Sequence, residues 1–160
     1  MDNHKRNRWV IVVSHYNEDI TSELLLGAQT TLIEQGIAQS QIDVVKVPGA
    51  VEIPLAAQWA ARKVDTAVVI TLGAVIRGDS DHYDFVAQQV SDGCQRVALD
   101  HNLPVIFGVL TTHNRQQALD RIGGASGHYG KEAALSALRM VHLSREQSVN
   151  KVSFDVVGQE

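Results

Sequence analysis

Residues 67–85 read AVVITLGAVIRGDSDHYDF, and the fold turns on how this run is divided. Ala67 to Leu72 is apolar but for Thr71 and rich in β-branched side chains, as a strand buried on both faces requires. Within ten positions the run then breaks into a glycine-flanked arginine, small polar residues and a histidine. A loop that only joins two elements needs a Gly and an Asp or Ser. Arg77 and His82 exceed that need.

The same alternation recurs on either side. Residues 9–13 (WVIVV), 42–47 and 104–110 read as further strands. Residues 20–36 carry Ile20, Leu24, Leu25, Ala28 and Leu32 at helical spacing, and Gly36 stops that helix. The patterns predict helices over 52–63, 81–100 and 131–143, and a short one over 114–122. Apolar strands separated by helices imply a parallel sheet covered on both faces. We expect a single domain over 1–160, with its core from about 9 to 143 and a polar tail over 144–160. Val152, Phe154 and Val156 alternate in that tail, as in a strand added to a neighbour's sheet edge or in an unstructured end.

A chain of 160 residues is long enough to bury a sizeable core. Its 14 basic and 18 acidic residues give a net charge of -4, with no basic stripe to engage nucleic acid. The longest apolar-rich run, 66–76, falls far short of the roughly 20 residues that span a bilayer, so no membrane role is expected. Cys94 is the single cysteine and cannot form an internal disulfide. The N-terminal MDNHKRNR carries no signal-peptide pattern, and a cytoplasmic location is expected.

Ligands of such sheets bind beyond the carboxyl ends of the strands. Those ends here are 14–17 (SHYN), 47–52 (VPGAVE), the loop after Ile76, and 111–114 (TTHN). Asp79, Ser80 and Asp81 precede a predicted helix whose start attracts anions, phosphate above all. His82 falls in the first turn, where the helix dipole favours a neutral imidazole able to exchange a proton. It is otherwise an incidental member of seven histidines. Arg77 clamps an anion or pairs with a surface carboxylate. Arg121 offers a fork suited to phosphate, or is a solvated charge at a helix end. Tyr16 stacks on a planar ring or packs, and Glu52 meets a ligand amide or suits a helix start. G-x-G-x-x-G, G-x-x-x-x-G-K-[ST] and G-x-S-x-G are absent, as is metal-ligand spacing of His or Cys. The residues alone lead to a phosphate-tolerant site with a histidine.

Residues 47–54 (VPGAVEIP), 73–85 and 104–108 (PVIFG) together resemble the lumazine synthase family of riboflavin biosynthesis, in order and with few gaps from about 9 to 143. The resemblance implies a flavodoxin-like three-layer α/β/α sandwich with a four-stranded parallel sheet. It implies condensation of 5-amino-6-ribitylaminouracil with 3,4-dihydroxy-2-butanone 4-phosphate, without metal or organic cofactor. By position, His82 matches the acid/base histidine and Glu132 the acidic residue that orients it. Asp79 and Ser80 match the phosphate seat, with Arg121 as cationic partner. Tyr16 and Asn17 match the residues at the pyrimidine, and Ala50, Val51 and Glu52 those at the ribityl chain. Ala74, Val75 and Ile76 match the lining of the ring pocket, and Phe107 an aromatic supplied across a subunit interface. The implied assembly is a pentamer or a 60-subunit shell, with riboflavin synthase as a candidate partner.

Three departures stand out. Val51 often has a bulkier counterpart. Residues 123–130 read GGASGHYG, where many relatives carry G-[TC]-K-x-G-N-K-G, so Ala125 and Tyr129 replace two lysines. The tail past Leu143 is long. A non-catalytic flavin- or lumazine-binding shell protein would fit lost lysines. A flavodoxin-like electron carrier would need an early phosphate loop, which SHYN is not.

Overall fold

The structure, a computed structural model, describes residues 6–157, with side chains described through residue 149. Four parallel strands form one sheet in the order β2-β1-β3-β4, with β1 Arg8–Ser14, β2 Ile42–Val47, β3 Thr66–Ile76 and β4 Val105–Thr112. Helix α1 (Glu18–Glu34) follows β1, α2 (Ile53–Ala61) follows β2 and α3 (His82–His101) follows β3. After β4 come a five-residue helix α4 (Arg115–Leu119), a small hairpin of β5 (Ile122–Gly124) and β6 (Gly127–His128), and α5 (Tyr129–Val157). The three-layer α/β/α sandwich and its four-stranded parallel sheet are those expected.

The two-residue period of a strand sorts the core into two halves. Trp9, Ile11 and Val13 of β1, with Val68, Ile70, Leu72 and Ala74 of β3, face α1 and α5. Val10 and Val12, with Val69, Val75 and Val109, face α2 and α3. Ile20, Leu24, Ala28 and Leu32 repeat every four residues along α1 and are completely buried. Gly36 ends that helix at φ 96, with its amide on the Ile33 carbonyl and the Ile37 amide on the Leu32 carbonyl. These are the two bonds of a Schellman cap.

Three boundaries differ from the sequence reading. The strand expected over 67–72 continues to Ile76, because β3 keeps pairing with β4 until Ile76 lies opposite Thr112. Gly73 is therefore inside the strand. A β-carbon there would lie 2.9 Å from Ser14 Oγ and 3.1 Å from Ile53 Cδ1. The helix expected over 114–122 stops at Leu119, and the hairpin β5–β6 takes over. Gly123 at φ 104 and Gly127 at φ 82 shape that hairpin, and such backbone pairing leaves no side-chain period to read. Beyond residue 143 the tail is neither strand nor irregular. It continues α5 as helix to Val157, and 158–160 lie outside the described residues.

Glycines set how closely α5 approaches α1. A β-carbon on Gly130 would sit 2.1 Å from the Leu24 carbonyl oxygen and 2.9 Å from its carbon, both rigid backbone. Gly130→Ala must push the helices apart, at a cost of about 1–3 kcal/mol or more. Gly78→Ala, where nothing lies within 4 Å, should stay within about 0.5 kcal/mol of the parent. Thermal unfolding at matched protein concentration checks the pair, and equal midpoints would refute the close-approach reading.

Candidate active site

The carboxyl ends of β1, β2 and β3 bring most of the sequence-selected residues to one edge of the sheet. Tyr16 and Asn17 follow β1, Ala50, Val51 and Glu52 form a short turn after β2, and Ala74, Val75 and Ile76 close β3. Asp79 and Ser80 occupy the loop that leads to His82, the first residue of α3. Asn17 ties two of these ends together, donating from Nδ2 to the Ala74 carbonyl at 3.0 Å. It does so from the left-handed region, φ 61, while its own carbonyl accepts from the Ile20 and Thr21 amides. Asn tolerates that region better than most residues.

Glu52 is committed locally, since its Oε2 accepts from the Gly49 amide at 3.0 Å and fixes the turn after Pro48. The other oxygen keeps acceptor capacity on an exposed side chain. Ser80 Oγ accepts from the His82 amide at 3.3 Å, so this hydroxyl occupies one of the donors at the start of α3. Asp79, Ser80 and His82 are all exposed. Tyr16 is 72% exposed, so it is not a packing residue within the subunit.

Arg77 follows the alternative that the sequence reading left beside anion binding. Its guanidinium pairs with Asp84 at 3.4 Å and lies 5.6 Å over the Tyr83 ring. Tyr83 in turn meets the His113 ring at 6.1 Å, joining the start of α3 to the end of β4. Neither Tyr83 nor His113 was picked out from sequence, and only their positions beside strand ends could have drawn attention. Cys94 lies buried in the α2 and α3 half of the core, where burial pushes its thiol up to about 11 and keeps it protonated.

Phe107, Arg121 and Glu132 lie apart from this cluster. Phe107 is opposite Thr71, five residues before the end of β4, which is about 16 Å along the strand. Arg121 follows α4, and its Nη1 donates to the Gln117 carbonyl at 2.7 Å, which leaves the remaining N–H groups of its fork to point elsewhere. Glu132 is exposed in the first turn of α5, on the sheet face opposite α3. Among the described residues, no hydrogen bond or ion pair links Glu132 or Arg121 to His82. Tyr129, at one of the lost lysine positions, packs against the α1 and α5 half of the core, and Ala125 is exposed at the hairpin tip. No helix among the described residues is long and apolar enough to cross a membrane.

Residues 6–145 match the family described as 6,7-dimethyl-8-ribityllumazine synthase. Two curated proteins of that name, from Coxiella burnetii strains CbuG_Q212 and RSA 493 / Nine Mile phase I, are each 50% identical over 136 residues. The alignment covers 85% of this chain and 90% of theirs. The protein of the same name from strain Dugway 5J108-111 is 48% identical over the same length.

Asn17 is the local keystone of this edge. Asn17→Ala loses the bond to Ala74 and pays for a left-handed backbone, and should cost about 2 kcal/mol. Asn17→Gly keeps the backbone but not the bond, and should cost about half as much. Denaturant midpoints distinguish them, and identical losses would show that the backbone conformation contributes nothing.

Proposed function

This chain belongs to the 6,7-dimethyl-8-ribityllumazine synthase family, and from that premise we propose how its residues divide the family's reaction. The enzyme condenses 5-amino-6-ribitylaminouracil with 3,4-dihydroxy-2-butanone 4-phosphate, in riboflavin biosynthesis. The uracil amine attacks the ketone carbon, and loss of water leaves an imine. Phosphate is then eliminated, and ring closure with loss of a second water completes the lumazine. Each stage moves a proton, so one well-placed acid/base group serves repeatedly.

His82 is our choice for that group. The observation that carries it is the convergence of His82, Ser80, Asn17 and Glu52 on a single edge of the sheet. In this reading the start of α3 receives the phosphate, with the Asp79 carboxylate turned away and its backbone amide turned inward. Arg121 supplies the charge-assisted partner through the part of its fork not held by Gln117. Tyr16, exposed beside the strand ends, stacks on the pyrimidine. Ala74, Val75 and Ile76 line the ring pocket, and Ala50, Val51 and Glu52 meet the ribityl hydroxyls. Glu132 orients His82. No metal or organic cofactor enters this scheme.

Phe107, Arg121 and Glu132 then serve a neighbour's site rather than their own subunit's. The 16 Å set-back of Phe107, about five strand residues, supports that division. So do the apolar side chains exposed on α2 and α3, Leu55, Trp59, Phe85 and Leu99, which an oligomer would cover. We propose a pentamer as the minimal active unit, in the cytoplasm, with riboflavin synthase as a candidate partner. The short segment 123–130, with no insertion, favours assembly of the pentamers into a 60-subunit shell.

His82→Ala should lower turnover by about 10- to 10⁴-fold with smaller changes in KM. Arg121→Ala should raise KM for the butanone phosphate far more than for the pyrimidine. Lumazine fluorescence on mixing the two substrates follows both, and parental turnover in the His82 variant would remove that residue from the mechanism. Light scattering in dilute neutral buffer tests the assembly. A particle of five or sixty chains is expected, and an active monomer would overturn the shared site.

A further inference from the structure

His128 stands where three elements cross. On α1, Gly27 has no side chain, and the imidazole fills the space. A β-carbon built on Gly27 would lie 2.1 Å from His128 Cε1 and 2.7 Å from Nδ1. On α5, the Lys131 amide donates to His128 Nδ1 at 3.3 Å. That makes His128 the N-cap of α5, with a ring nitrogen in the role usually filled by a Ser, Thr, Asp or Asn oxygen. In the hairpin, His128 pairs with Ile122, and the next amide, that of Tyr129, donates to the Arg121 carbonyl at 2.8 Å. The imidazole therefore caps the same helix start that holds the main chain of Arg121.

We propose that His128 is a proton-sensitive positioning residue for Arg121, and through it for binding of the phosphorylated substrate. This rests on the reading of Arg121 as the phosphate partner. Only a ring nitrogen with a free lone pair accepts the Lys131 amide. Protonation turns that acceptor into a donor facing a donor, and adds positive charge at the positive end of the α5 dipole. Glu34 of α1 and Lys131 of α5 line the cleft of about 270 Å³ beside the ring, and the Glu132 carboxylate lies next to Gly127. These two carboxylates and one ammonium are all exposed and screened. The amide at hydrogen-bond distance decides. The sign follows: acidification uncaps α5, loosens the hairpin and weakens phosphate binding, while raising the pH restores it.

The test compares the parent with His128→Asn, which keeps a side-chain acceptor but does not titrate, and with His128→Ala, which has none. KM for each substrate and kcat are measured from about pH 8 down to about pH 5.5, the range in which imidazoles change charge. Amide hydrogen exchange over 121–131 is followed in the same buffers. His82 and the substrate phosphate are common to all three proteins, so the difference between parent and His128→Asn isolates His128. Over that range, KM of the parent for the butanone phosphate should rise about fivefold more than that of His128→Asn, the factor of one lost helix cap. KM for the pyrimidine and kcat should follow one common profile. His128→Ala should show the acid-like KM and fast exchange already at pH 8. Coinciding pH profiles of parent and His128→Asn, or exchange indifferent to residue 128, overturn the proposal. If exchange responds and KM does not, Arg121→Ala separates the failures. A raised KM in Arg121→Ala defeats the positioning role alone, and an unchanged one defeats the phosphate assignment on which it stands.

Discussion

Parallel pairing of β3 with β4 runs out to Ile76 against Thr112, and the Arg77 amide on the Thr112 carbonyl closes it. The loop that carries Asp79, Ser80 and His82 hangs from that end. The loop after Ile76 can reach α3 only by crossing the carboxyl edge of the sheet, where β1 and β2 also finish. Ligands of parallel α/β folds gather there because strand ends leave backbone groups and helix starts unpaired with one another. A strand that stopped at Leu72, as its apolar composition alone suggests, would carry the histidine four residues further back.

The layers were legible because burial on both faces leaves a strong mark. Residues 9–13 are apolar without a gap, 104–110 nearly so, and 42–47 is broken only by Asp43 and Lys46, while α1 repeats its buried residues with helical period. What stayed hidden is what backbone pairing decides. The last four residues of β3 contain a glycine, and a glycine in a strand looks like an ending until its partner strand is known. The hairpin β5–β6 has two left-handed glycines and almost no side chains to set a period. The tail alternates like a strand over 152–156, yet it extends a helix already anchored by Ala133, Ala134, Ala137 and Val141 in the core. A helix that is running adds each further residue at little cost, which outweighs a weak local alternation.

The candidate site divides the same way. Tyr16, Glu52, Ser80 and His82 sit at strand ends, and position relative to a strand can be read from sequence. Arg77 shows the limit of that reading. Its type and its place beside a glycine fit an anion clamp, but Asp84 and Tyr83 already occupy it. Gly27 and Gly130 were silent for another reason. Each is a glycine inside a helix, where the residue usually costs stability. Only the facing element reveals its use: an imidazole at one and the Leu24 backbone at the other.

The proposed sharing of the site between subunits follows from a mismatch within one chain. A pocket for a planar heterocycle needs apolar walls on more than one side. A single subunit offers Tyr16 at the mouth of β1 and leaves it 72% exposed, while Phe107 stands 40% exposed on the edge strand further back from the carboxyl edge. Phe107 is level with Val12 in the sheet register, four residues short of Tyr16 and two strands away, so these two aromatics do not close on one ring within the chain. Edge strand β4 lies at one border of the sheet and the ends of β1 and β2 lie toward the other. In the proposed ring, a rotationally repeated contact of border against border would bring one subunit's Phe107 to the next subunit's Tyr16 and would close without leaving either border bare.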